Sequence, residues 1–371
     1  MKRRLAGARR IVVKVGSGLV ADPGRGPDPV RIAQLAADVA TLVARRFEVA
    51  LVSSGAIAAG TARLGLRARP RSIPEKQAAA AVGQAALMWH YEQAFSPHGL
   101  RVAQVLLTQD DIGHRGRYLN ARNTLLTLLG YRVMPIINEN DTVAVEEIKV
   151  GDNDNLAALV AHLVEADLLV LLSDTDGLHS GDPHRDPGAR RIDTVETITP
   201  ELLYLAGAQG PLGTGGMVTK LQAAQKAMAA GIAMVIADGR RPGVLSALLA
   251  GEPVGTYFKP RADRLAARKR WIAFATPVVG MVEVDAGAHR ALVESRKSLL
   301  PSGVVKVEGE FAAGDAVGIR DPDGREFARG IVNYDSREIT LLRGAKTRDI
   351  ERLLGYRGLD EVIHRDSLVI L

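Results

Sequence analysis

Val133-Met-Pro-Ile-Ile137-Asn138-Glu139-Asn140-Asp141 decides how this chain is read. Val133–Ile137 is an apolar run with the length of a buried strand, and it drives straight into four consecutive Asn, Asp or Glu side chains. About a dozen residues later Gly151-Asp152-Asn153-Asp154-Asn155 opens a helical pattern at Leu156–Val164. Polar groups gathered at a strand end and a helix start suit a small zwitterion: carboxylates meet an ammonium, while amides and backbone N–H groups meet a carboxylate. Either cluster alone also reads as an Asx turn or an ordinary N-cap. Two so close together favour a binding site.

Working outward, strand and helix patterns alternate. Ile11–Val15 is a β-branched run, and Asp28 before Pro29 marks a helix start, with Ile32, Leu35, Ala36, Val39, Leu42 and Val43 at helical spacing. Val49–Val52 is the next strand, a long Ala-rich helix covers roughly Lys76–Phe95, and Val102–Leu107 and a helix near Leu119–Leu129 lead to the quoted strand. Leu168–Leu172, Met217–Ala230, Met234–Ala237 and Val244–Ala250 continue as strand, helix, strand and helix. Alternation of this kind predicts an α/β fold, an open and mostly parallel sheet sandwiched by helices, over residues 1–258. A charged stretch within 259–276 reads as a linker. Short strand-like pieces at Gly280–Val284, Val304–Val307, Ala316–Arg320, Arg329–Asn333 and Glu338–Leu341, punctuated by glycines, predict a small all-β domain over 277–360 with a tail at 361–371.

Bulk composition narrows the chemistry. The 371 residues suffice for two domains, and aromatics at 4% imply an aliphatic, Ala-rich core. Cysteine is absent, which removes disulfides, thiolate nucleophiles and cysteine-ligated zinc; the eight His lack His-Glu-x-x-His spacing. No apolar run approaches the roughly 18 residues of a membrane span, and the basic N-terminus leads into a strand rather than a signal-peptide core, so a cytoplasmic protein is expected. The net charge of +6 fits anionic partners, phosphorylated small molecules and RNA alike.

Three glycine-bearing segments look able to hold phosphate. Lys14 closes the first strand and is followed by Gly16 and Gly18, a loop whose N–H groups can approach an oxyanion. Gly16-Ser-Gly18-Leu-Val-Ala21 also matches a dinucleotide fingerprint, but Asp22-Pro23-Gly24 cannot continue the helix that fingerprint requires. Thr214-Gly215-Gly216-Met217-Val218-Thr219-Lys220 is a second glycine-rich loop opening a helix, and Ser54-Gly55 a third strand-to-helix turn. Ser173-Asp174 ends an apolar strand. These strand ends are expected to converge on one rim. Two lysines, glycine-rich loops and a polar pocket without a nucleophile suit phosphoryl transfer, and a carboxylate acceptor, ionised above about pH 4.3, needs no base.

Val-Lys14-Val-Gly-Ser, Val-Ser-Ser54-Gly-Ala-Ile-Ala-Ala-Gly, Ile-Asn-Glu-Asn-Asp141, Lys-Val-Gly-Asp152-Asn153-Asp-Asn and Gly-Thr-Gly-Gly-Met-Val-Thr-Lys220 together resemble the glutamate 5-kinase family of the amino acid kinase superfamily. Leu299-Leu-Pro-Ser-Gly-Val, Val307-Glu-Gly-Glu-Phe and Arg329-Gly-Ile-Val-Asn-Tyr-Asp-Ser resemble the PUA barrel carried by bacterial members. The resemblance implies ATP-dependent phosphorylation of the L-glutamate side chain, the first step of proline synthesis. It implies Lys14 and Lys220 on the transferring phosphoryl group, Asp154 orienting them, and Asp152 supporting that pocket. Ser54, Gly55, Asp141 and Asn153 would hold glutamate, and Ser173, Asp174 and the 214–220 loop the nucleotide. Magnesium on the ATP phosphates, a homo-oligomer and inhibition by proline are further implications, and the labile product suggests hand-over to glutamyl phosphate reductase. A sister kinase acting on another acid, and RNA binding by the PUA-like domain, are the competing functions; a packing or regulatory role suits that domain better, since its few aromatics are dispersed.

Overall fold

The computed structural model describes residues 8–68, 70–113, 115–143, 153–181, 188–207, 216–260 and 278–371. Two compact units account for the chain, one of Met1–Gly113 with Ala121–Arg261, the other of His114–Asn120 with Ala262–Leu371.

In the first unit, β1 (Arg10–Val15), α1 (Pro29–Ala44), β2 (Glu48–Ser53), α2 (Ala56–Arg63), α3 (Ile73–Phe95), β3 (Arg101–Leu107), α4 (Arg115–Gly130, in this unit from Ala121 on) and β4 (Val133–Glu139) come first. Next along the chain are α5 (Asn153–Leu163), β5 (Leu168–Ser173), β6 (Thr194–Val195), α6 (Met217–Ala229), β7 (Ala233–Asp238), α7 (Val244–Ala250) and β8 (Thr256–Phe258). The eight strands lie in the order β3-β4-β2-β1-β5-β7-β8-β6, and the first six of these are parallel to one another. At the other edge β8 runs antiparallel to β7, and β6 runs parallel to β8. The chain winds outward from β1 through β2 and then crosses to β5 on the other side, which makes the carboxyl ends of these strands the place for a ligand.

Local signals account for the elements. Asp28 accepts from the N–H groups of Val30 and Arg31 and caps α1, with Pro29 at the first helical position. Ser72 and Glu75 form a reciprocal capping box, so α3 begins three residues before the expected Lys76. Val13, Leu51, Ile136, Val170 and Val235, all fully buried, tie five strands into one aliphatic core with Ile32, Val39 and Leu42 of α1. No helix among the described residues is long and apolar enough to cross a membrane.

The crossing of α2 and α3 fixes the rim beside β2. A Cβ at Gly83 would stand 1.8 Å from the Ala56 carbonyl oxygen, and one at Gly60 would stand 1.7 Å from that of Ala79. The two backbones touch, and nothing flexible can yield. Gly83→Ala is therefore expected to cost about 3 kcal/mol by forcing the helices apart. Gly130→Ala, where an added methyl meets nothing within 4 Å, is expected to change stability by no more than about 1 kcal/mol. Chemical denaturation of both variants checks this; equal midpoints would contradict the close crossing.

The second unit is built on a five-stranded sheet: β9 (Val278–Val284), β10 (Val304–Glu308), β11 (Ala316–Arg320), β12 (Glu326–Ile331) and β13 (Leu368–Ile370), in the order β10-β9-β11-β12-β13. Its core gathers Val282, Val284, Ile319, Tyr334, Ile339 and Leu342. Two expectations change here. Glu338–Leu341 is not a strand but part of the helix Ser336–Leu342, because Asp335 and Glu338 form a capping box that overrides the β-branched content. Residues 368–370, within the expected tail, pair with Ala328–Gly330 as the edge strand. The expected linker falls almost wholly outside the described residues.

Candidate active site

Lys14 is the last but one residue of β1, in register with Val52 of β2 and Leu171 of β5. Its ammonium therefore emerges at the carboxyl rim, between the two halves of the sheet. Its Nζ lies 2.7 Å from Oδ1 of Asp154, in the first turn of α5. The other oxygen of Asp154 lies 3.3 Å from Nζ of Lys220, in the first turn of α6, and accepts from Thr219 Oγ1 at 2.8 Å. One carboxylate with 2% side-chain exposure thus holds two ammonium groups delivered by a strand and a helix far apart in sequence. Burial opposes the charge on Asp154, but Lys14 and Lys220 outweigh it and hold the carboxyl below its ordinary range. The three groups sum to one net positive charge.

Both lysines line a cavity of about 550 Å³, a volume within the range of small-molecule sites. Its wall also carries Ser54, Gly55, Asp141, Asn153, Ser173 and Asp174. Every strand end expected to meet at the rim does meet there. Gly55 adopts φ +111°, a left-handed conformation that lets the chain turn from β2 into α2 with its N–H groups bared. Met217 and Val218 sit in the first turn of α6 without lining the cavity, and Gly216 caps that helix. Asp152, Thr214 and Gly215 lie outside the described residues.

The polar half of the cavity is a buried network. Asn153 Nδ2 donates to Ser54 Oγ at 2.8 Å and to Asn138 Oδ1 at 2.9 Å, and Asn138 Nδ2 donates to Gln84 Oε1 at 2.9 Å. Asp141 is buried, and burial together with the neighbouring Glu139 carboxylate pushes its pKa up from 3.8 to about 7. Two acidic groups in one wall, with no cation opposite Asp141 among the causes of its shift, make a place prepared for an ammonium.

Sequence reasoning passed over several of these residues. Gln84 looked like one more position of an Ala-rich helix. Arg240 was also missed: it pairs with Asp238 at 2.9 Å, donates to the Asp174 carbonyl at 2.6 Å and lines the cavity. The signal for Arg240 was present, since β7 runs beside β5 with Asp238 level with Ser173, and the residues just after Asp238 must reach the same rim.

Comparison with known proteins gives the family. Residues 9–238 match the model of the amino acid kinase family, and residues 280–354 match that of the PUA domain. A glutamate 5-kinase of Geobacter sp. (strain M21) is 52% identical over the whole of both chains. One of Syntrophotalea carbinolica is 50% identical over 100% of this chain and 99% of its own, and one of Moorella thermoacetica is 51% identical over 99% and 97%. The chain belongs to the amino acid kinase family and, within it, to the glutamate 5-kinases.

Proposed function

We propose that this protein transfers the γ-phosphoryl group of ATP to the side-chain carboxylate of L-glutamate, giving L-glutamyl 5-phosphate, the first step of proline biosynthesis. The observation that carries the reading is the Lys14–Asp154–Lys220 cluster opening onto the same cavity as Asp141, Asn153 and Ser54. A glutamate oxygen attacks the γ-phosphorus, the bond from that phosphorus to the β,γ-bridging oxygen breaks, and ADP leaves with the electron pair. The nucleophile is already ionised, so no proton has to be removed. Lys14 and Lys220 neutralise the equatorial oxygens and the leaving oxygen, and Asp154 holds both ammonium groups in place and apart. Ser173, Asp174 and the first turn of α6 take the nucleotide, with Gly216 and Thr219 presenting a helix start to its phosphates.

Among the described residues no three His, Cys, Asp or Glu side chains converge to cage a metal. Magnesium fits this site as a companion of the nucleotide, held by phosphates and water. The reading extends to a cytoplasmic homo-oligomer inhibited by proline, to hand-over of the labile acyl phosphate to glutamyl phosphate reductase, and to a packing or regulatory role for the PUA domain.

Asp141 gives the substrate preference. A carboxylate there suits the α-ammonium of glutamate and opposes an acceptor carrying phosphate. Its raised pKa also fixes a sign. Below pH 7 the side chain is mostly protonated and pairs poorly with an ammonium; above it the carboxylate is ready. The KM for glutamate is therefore expected to fall as pH rises through about 7. Asp141→Asn is expected to remove this dependence and raise KM roughly 30-fold. Steady-state kinetics between pH 6 and 8 reads both, and a flat wild-type profile would contradict the assignment. ATP consumption against a panel of acids tests the substrate itself: preference for any acid over glutamate overturns the reading.

A further inference from the structure

Three amides form a row in and behind the cavity wall: Gln84 on α3, Asn138 on β4 and Asn153 on α5, each at most 7% exposed. The polarity of this row is fixed at its centre. The backbone N–H of Glu139 donates to Asn138 Oδ1 at 2.9 Å, and a backbone N–H can only donate. The atom it meets must be the carbonyl oxygen of Asn138, so the NH2 of Asn138 faces Gln84 Oε1. The same Asn138 oxygen accepts from Asn153 Nδ2, whose other hydrogen goes to Ser54 Oγ. Both donors of Asn153 are then engaged. Its Oδ1 is buried with no hydrogen-bond partner among the described residues.

We propose that this row is a specificity device, with Gln84 as its positioning residue. It holds an acceptor in the amino-acid half of the cavity, so the ligand must bring an N–H donor to that spot: the α-ammonium of the substrate. The inference rests on the glutamate kinase reading and adds what selects an amino acid over a plain dicarboxylate. Glutarate, which has both carboxylates and no amine, leaves Asn153 Oδ1 and Asp141 unanswered, and sites built around such a group reject analogues that lack it. Gln84 acts at a distance. Without its oxygen the NH2 of Asn138 is buried with no acceptor, and the Asn138 amide tilts to find one, loosening Asn153.

Gln84→Met keeps the length of the side chain and removes the acceptor. It is expected to raise KM for glutamate about tenfold with kcat and KM for ATP within about twofold, the pattern of a lost binding contact. The preference for glutamate over glutarate is expected to fall by about the same factor. Gln84→Glu, which offers an acceptor oxygen in either protonation state, is expected to restore both values to within about threefold. A purely structural buttress would lower the melting temperature without moving the glutamate-to-glutarate ratio. If Gln84→Met retains that ratio and the KM of the wild type, the inference is overturned. Calorimetric binding to the wild type gives a second test that no folding defect can obscure: glutarate bound within threefold of glutamate overturns it. A wild type inactive on glutamate overturns the proposed function itself, which separates the two failures.

Discussion

Replacing Asp154 with alanine is expected to give the largest loss in this protein, in stability and in turnover together. Both oxygens of this carboxylate are committed, one to Lys14 at 2.7 Å and the other to Lys220 at 3.3 Å and Thr219 at 2.8 Å. Deleting it removes the one carboxylate that these two largely buried ammonium groups share. Removing one partner of a buried pair costs about 3–5 kcal/mol, and here a single deletion breaks two pairs. Without the shared carboxylate the two ammonium groups lose the spacing that aims them at a phosphoryl group. Turnover then falls by roughly 10³-fold. Asp154→Asn separates the causes, because it keeps the shape and the Thr219 contact while losing the charge. It is expected to fold better than the alanine variant and to be nearly as inactive.

The acid limb of stability depends on the same group. The folded pKa of Asp154 lies below the ordinary 3.8, so its contribution is complete above about pH 4 and is lost as pH falls through the depressed value. Asp141 works in the opposite sense: its pKa is raised from 3.8 to about 7, so its contribution declines as pH rises above about 4 and is fully lost above about 7. Denaturation midpoints measured between pH 3 and 8 are expected to show the acid loss in the wild type and a smaller one in Asp154→Asn. An Asp154→Asn enzyme within threefold of wild-type turnover would remove the carboxylate from the account.

Lys220→Met carries the second largest effect. The variant removes one ammonium from the site of developing charge but leaves Asp154 paired with Lys14, so the fold survives. Loss of one preorganised donor to a transferring group costs roughly 10²–10³ in kcat. KM for glutamate is expected to stay within about twofold, since Ser54, Asp141 and Asn153 are untouched. Lys14→Met is expected to behave alike. The double variant leaves Asp154 buried with no cation, and its loss is expected to fall short of the product of the two, because the three groups act as a unit. Steady-state kinetics on the three proteins measures this. A raised KM for glutamate with kcat intact would move the lysines out of the phosphoryl path.

The parallel sheet was legible because buried parallel strands are near-continuous aliphatic runs, and Leu168–Ser173 with Val49–Val52 could be little else. The site was legible wherever polarity broke out at the end of such a run, as at Asn138 and Ser173. Gln84 was not. Its place comes from a helix crossing set by Gly60 and Gly83 and from a hydrogen bond accepted from Asn138 of β4, contacts that leave no local pattern. The helix Ser336–Leu342 was misread for a related reason. Ile339 and Thr340 favour a strand, and only the Asp335–Glu338 capping pair, realised once the chain turns, decides otherwise.

Trapping of the acyl phosphate with hydroxylamine tests the central claim most directly. With ATP, magnesium and glutamate, the wild type is expected to yield γ-glutamyl hydroxamate; Lys14→Met and Lys220→Met are expected to yield it at rates lower by at least about 10² at saturating substrates. Absence of that hydroxamate from the wild type, or its undiminished formation in both lysine variants, would contradict a shared phosphoryl site on the rim where β1 and β5 end.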